Sequence, residues 1–174
     1  MARIEIVHES VVTQEVDAIV NAAKPTMLGG GGVDGAIHSA AGPELFNFFK
    51  IQNNCWKPGD VELSPGFNLK AKFILHAVGP RWMGGINNEP ELLKRCYVGC
   101  LEKASQKGCR SVAFCCISVG AYRYPLELAT CLALSTVKKW LDTNNSDMLV
   151  KFCCFSDIEF LCYQRLAREL SIFL

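Results

Sequence analysis

The residues best suited to chemistry stand together in segment 21–42, NAAKPTMLGGGGVDGAIHSAAG. An apolar run passes through Lys24 and Pro25 into four consecutive glycines, followed closely by Asp34 and His38. Glycines carry no Cβ and reach positive φ cheaply, so their N–H groups can converge, and a helix starting behind them adds its positive end. This predicts a cradle for a phosphate or diphosphate at the four glycines; a turn that is simply tight is the alternative. Asp34 stands in the first turn of that helix, where a carboxylate complements the helix dipole. His38 lies four residues on and is expected to be structural or solvent-facing. His76, in an otherwise apolar segment, reads as a hydrogen-bonded core histidine, and His8 has no motif around it.

Residues 30–35 satisfy G-x-G-x-x-G, yet the run does not follow its strand directly, and the acidic residue that a dinucleotide fold needs about twenty positions on is missing. The Lys-Ser/Thr ending of a triphosphate-binding loop is also missing, which argues against nucleoside triphosphate hydrolysis. A second glycine-bearing turn, ISVGAY at 117–122, supplies Ser118, Val119, Gly120, Ala121 and Tyr122. Two such turns at the carboxyl ends of strands would clamp a diphosphate from both sides, with Tyr122 beside a sugar.

Positioning these turns requires an α/β framework. Apolar segments of strand length at 4–7, 17–21, 73–78, 111–116 and 149–155 alternate with helical patterns at 90–107, 125–141 and 157–170 and with a small-residue helix behind the glycines. Residues 142–147 form a polar turn. No repeat or linker interrupts the chain, so one domain is expected over 1–174.

Composition narrows the function. Eighteen basic residues balance seventeen acidic ones in 174, a net charge of +1, which excludes the broad basic surface of a general nucleic-acid binder. The longest uncharged, mostly apolar run, 112–122, is about half of the ~20 residues a membrane span needs, and the first ten residues have no secretory apolar core. Ten cysteines admit a disulfide scaffold, a metal site or reduced thiols. No CxxC occurs, and Cys96 and Cys100, four apart on a helix, have no matching second pair, so neither metal nor cofactor is expected. The cysteines read as buried thiols packed mainly in central strands, among them Cys115, Cys116, Cys153 and Cys154, in a reducing, intracellular compartment, most simply the cytoplasm.

The blocks at 16–23, 29–38, 76–80, 117–122 and 124–125, taken in order, resemble the macrodomain family, and most closely its hydrolase branch, which removes ADP-ribose or acetyl from ADP-ribose derivatives. The resemblance extends over about residues 3–165. It implies a three-layer α/β/α sandwich with a mixed, mostly parallel central sheet and a cleft for ADP-ribose. It further implies ligand contacts from Ser10, Val11, Asn21, Ala23, Gly30–Gly32, Val33 and Ser118–Tyr122. Phe155 would pack on adenine, with an ordinary core role as the alternative. Asp34 resembles the catalytic carboxylate, which implies that it orients or activates a water as a general base, with complementing the helix dipole as the alternative. The chain departs from the hydrolase pattern at several ligand positions. Lys24 replaces an asparagine that positions the distal ribose, and Lys has only donors. Glu9-Ser10 replaces Gly-Asp at the adenine end, Val119 replaces a small hydroxyl residue, and Arg123 replaces a glycine. Two functions follow. One is hydrolysis of O-acetyl-ADP-ribose or of mono-ADP-ribosylated acidic side chains, with Asp34 and Lys24 catalytic; the other is a weak or inactive reader of ADP-ribose. Either implies ADP-ribose-bearing partners, no membrane, and a monomer.

Overall fold

The computed structural model describes residues 3–172, so the outermost positions of the expected 1–174 span lie outside the described residues. Six strands form one sheet: β1 (Arg3–Val7), β2 (Ala18–Ala22), β3 (Val61–Pro65), β4 (Phe73–Ala77), β5 (Ser111–Phe114) and β6 (Leu149–Cys153), in the order β1-β6-β5-β2-β4-β3. All neighbours pair parallel except β3, which runs antiparallel to β4 at the edge. Five helices cover the sheet: α1 (Gly32–Ala41), α2 (Pro43–Gln52), α3 (Glu89–Gln106), α4 (Leu126–Thr143) and α5 (Asp157–Glu169). α1 packs on α2, and α3 on α4 on α5, giving the α/β/α sandwich. Central strands buried on both faces need continuous apolar runs, which β2 (AIVNA) and β5 (SVAF) supply. Tyr97, Phe114, Phe152 and Tyr163 stack through the core with successive centroids 5.1, 5.7 and 5.2 Å apart.

Five elements differ from the sequence expectation. α2 and β3 were not foreseen, and a short 3-10 turn, Val11–Thr13, follows β1. β5 and β6 end earlier than expected, leaving Cys115, Cys116, Cys154 and Phe155 past the strand ends. The reason lies in the sheet. β2 is joined to β4 by five register pairs but to β5 by two, Ala18↔Val112 and Ile19↔Ala113. Beyond Ile19 the two strands part, and the chain leaving each is free to build the wall of a crevice.

The loop before α3 is tied down by one carboxylate. Buried Glu89 accepts from the backbone N–H groups of Met83 and Gly85, both at 2.8 Å, and also of Asn87. Trp82 N–H donates to Tyr122 O at 2.8 Å, and its ring lies 4.7 Å from that of Tyr124, so this loop also braces the second glycine-bearing turn.

Candidate functional site

The crevice is a two-lobed cleft at the carboxyl ends of the parallel strands. One lobe, about 410 Å³, is lined by residues including Glu9, Ser10, Val11, Cys115, Cys153 and Phe155. The other, about 390 Å³, is lined by residues including Ala23, Lys24, Asp34, Ser118, Ala121 and Tyr122. Gly32, Val33, Cys116 and Gly120 line both, so the lobes meet between the two glycine turns. A Cβ at Gly31 or Gly120 would find no other heavy atom within 4 Å; the backbone there is bare toward the cleft.

The first turn has the backbone conformation that its composition predicts. Gly29 and Gly32 hold positive φ, 94° and 58°, a region L side chains rarely adopt. α1 begins at Gly32 with Gly31 as its N-cap and no side-chain cap, so the first N–H groups of the helix border the cleft unshielded. By contrast, α5, beside the first lobe, closes its own N-terminus with a capping box: Ser156 Oγ accepts from Glu159 N, and Glu159 accepts from Ser156 N. Gly35 has a different task. A Cβ there would lie 2.6 Å from Gly30 O, so its bare Cα lets the loop fold back onto α1. Gly30 borders a shallow outer groove with Leu28, His38 and Phe46, while its Cα faces Lys24 and Asp34.

The second turn depends on a close approach. Ser118 adopts φ 69° with its side chain buried, and a Cβ on Gly79 would fall 2.2 Å from Ser118 Oγ. Gly79 is therefore a site residue that the sequence reading passed over, although it stands in the block 76–80. Arg123 holds φ 60°, which gives the physical reason that glycine suits this position.

Asp34 is buried at the floor of the second lobe. Its Oδ1 accepts from Asn21 Nδ2 at 2.8 Å and lies 3.5 Å from His38 Nε2, while Oδ2 has no partner. Burial pushes the Asp34 carboxyl above the usual carboxylate range; the Asn21 hydrogen bond and the charges of His38 and Lys24 pull it back in part. Burial pushes His38 down, opposed by Asp34. His38 is only 13% exposed and turns toward Asp34, which rules out the solvent-facing alternative: i,i+4 spacing on α1 places both side chains on one face. Lys24 is exposed and reaches over Gly30: a Cβ on Gly30 would lie 2.9 Å from Lys24 Nζ and 3.2 Å from Asp34 Oδ2.

Asn21, on the central strand β2, lies fully buried beneath the cleft, and its amide supports Asp34 from below. Among the described residues, the buried side-chain N and O atoms without a hydrogen-bond partner are Asn21 Oδ1, Asp34 Oδ2, His38 Nε2 and Ser118 Oγ. All four belong to this one site. Unpaired buried polar atoms are costly in a folded core, and their clustering marks a place where a ligand or water completes the bonding.

In the first lobe Ser10 Oγ accepts from Val12 N and caps the 3-10 turn, while Glu9 is held by Gln14 Nε2 at 2.9 Å. Phe155 is 85% exposed at the rim, which excludes the ordinary core reading. Cys115 and Cys153 are buried but line the lobe, and burial pushes both thiols up to about 12, so they present neutral, weakly polar surface. The expectation that these cysteines only pack inside strands is corrected: β6 holds Cys153 alone of the four.

Fold and cleft together define a class: an α/β protein with a two-lobed cleft between glycine-bearing turns at the ends of parallel strands. A family model for the Macro domain matches residues 20–133, and the chain belongs to the macrodomain family. It is 42% identical over 171 residues to an O-acetyl-ADP-ribose deacetylase of Enterobacter cloacae, across 96% of this chain and 94% of that one. A Macro domain-containing protein of Chlorobaculum tepidum is 44% identical over 162 residues, 93% of this chain and 94% of its own. Among solved structures, the Oceanobacillus iheyensis macrodomain with ADP superposes at TM-score 0.91 and 38% identity, over 97% of this chain and 91% of that one. The Trypanosoma brucei macrodomain in complex with ADP-ribose superposes at 0.86 and 40%, over 94% and 68%. Among the described residues, no helix is long and apolar enough to cross a membrane.

Proposed function

We propose that this cleft binds ADP-ribose and that the protein hydrolyses esters of its distal ribose, either O-acetyl-ADP-ribose or mono-ADP-ribosylated acidic side chains. The observation that carries the reading is the buried, partnerless Oδ2 of Asp34 beside the bare N–H groups that open α1. The diphosphate lies between the two glycine turns, adenosine fills the lobe rimmed by Phe155, and the distal ribose enters the lobe floored by Asp34. Asp34 Oδ2 takes a proton from a water whose oxygen bonds to the ester carbon. The ester C–O bond then breaks, and the departing ribose hydroxyl oxygen receives the proton. Lys24, with its ammonium beside Asp34, favours the ionised base and offsets negative charge developing on the ester oxygen. The similarity to a deacetylase over nearly the full chain supports this reading.

A second reading, an ADP-ribose reader without efficient chemistry, is favoured by Lys24 itself, which has no acceptor to offer a ribose hydroxyl. Release of acetate or free ADP-ribose by the wild type, abolished in Asp34→Ala, supports hydrolysis. Stabilisation by ADP-ribose without turnover at high enzyme concentration supports the reader. No heat and no thermal shift with saturating ADP-ribose overturns both.

A further inference from the structure

The proposed hydrolysis needs Asn21 in one orientation, and the glycine turns do not fix it. What lies behind Asn21 does. His76 stands opposite it in the β2–β4 register, fully buried, and Ser64 on the edge strand β3 is fully buried beside His76. Asn21 Nδ2 lies 2.8 Å from Asp34 Oδ1 and 3.1 Å from His76 Nδ1, His76 Nε2 lies 2.8 Å from Ser64 Oγ, and Ser64 Oγ donates to Pro65 O at 3.0 Å. The ring of Phe49 meets His76 edge-on at 4.8 Å.

The direction of each bond follows from donor counting. An ionised carboxylate only accepts, so the amide atom facing Asp34 is the nitrogen, and its second hydrogen points at His76 Nδ1. Nδ1 must therefore be bare. A neutral imidazole then carries its proton on Nε2 and donates it to Ser64 Oγ, whose own hydrogen goes to the Pro65 carbonyl. Burial, reinforced by His38, pushes His76 down to about 3, so the ring is neutral wherever the protein works. Every donor in the chain is used, and Asn21 Oδ1 is left as the unspent acceptor.

We propose that His76 and Ser64 are positioning residues for the reaction. They hold the Asn21 amide in the orientation that donates to Asp34 and so fix the carboxylate whose other oxygen takes the proton from water. The proposal rests on the hydrolytic reading above.

The tautomer is measurable without any substrate. Long-range ¹H–¹⁵N correlation spectra of the whole protein at neutral pH should show His76 protonated on Nε2 and bare on Nδ1; protonation on Nδ1, or a charged ring, overturns the arrangement. Ser64→Ala, with folding checked by melting temperature, should lower kcat about tenfold, the factor an ordinary net hydrogen bond is worth, with KM unchanged. Ser64→Thr, which keeps the hydroxyl, should restore kcat; an unchanged kcat in Ser64→Ala overturns the positioning role. An Nε2–H ring in a wild type that turns over no ester supports the arrangement and overturns the hydrolytic reading. An Nδ1–H ring with turnover retained does the reverse.

Discussion

Asp34 presents one carboxylate oxygen to Asn21 Nδ2 at 2.8 Å and leaves the other buried without a partner. The first contact fixes the group, and the second oxygen keeps its basicity for something absent from the protein itself. Stability and function pull against each other here, because a buried carboxyl above its ordinary range is a cost the fold carries.

That cost has a sign and a pH window. Below the ordinary carboxylate pKa both folded and unfolded Asp34 are protonated and no penalty exists. As pH rises, the unfolded chain ionises first and stability falls until the raised native pKa is passed; the deficit then persists at neutral pH. Asp34→Asn should accordingly melt higher than wild type at neutral pH, with the gain shrinking as pH drops toward 3. Its turnover of O-acetyl-ADP-ribose should fall by at least about a hundredfold while calorimetry still detects ADP-ribose.

Lys24 acts on Asp34 through charge, so its removal should show first in a pH profile. In Lys24→Met the acid limb of kcat/KM is expected to move to higher pH, making the rate loss larger in mildly acidic than in alkaline buffer. Lys24→Asn separates a damaged site from a rebuilt one: a fall in turnover shows that the ammonium has taken over a catalytic duty.

Gly35→Ala reverses a familiar rule. Inside a helix this change ordinarily stabilises by about 1 kcal/mol. Here the new Cβ meets Gly30 O at 2.6 Å, a backbone atom that cannot swing aside, so denaturant unfolding should show a loss of about 1–3 kcal/mol with weaker ADP-ribose binding.

Phe155 separates binding from folding. Because its side chain is largely exposed, Phe155→Ala should shift unfolding free energy by no more than about 0.5 kcal/mol. Loss of base stacking should weaken ADP-ribose binding by about 1–3 kcal/mol, read by titration calorimetry.

The sheet's interior strands and the glycine cradle were legible because each rests on local composition: continuous apolar runs for β2 and β5, and an uninterrupted glycine run before a helix. β3 escaped notice because Val61 and Leu63 are only half-buried at the edge and the strand ends in Pro65. α2 was obscured by Phe46 and Ile51, apolar residues on its exposed side that blur the helical period. The close approach of Gly79 to Ser118 depends on tertiary closure, which no local pattern encodes. Asn21 was chosen for its neighbours in the motif, yet its supports, His76 and Ser64, come from segments far along the chain.

Glu89 gives the other half of how this protein manages anions. By seating its own carboxylate among the N–H groups of Met83, Gly85 and Asn87, the chain saturates one backbone receptor with an internal occupant. An incoming phosphate must displace a tethered competitor there, but meets none at the opening of α1. On the proposed function, inorganic phosphate should therefore act as the simplest competitive inhibitor of ADP-ribose.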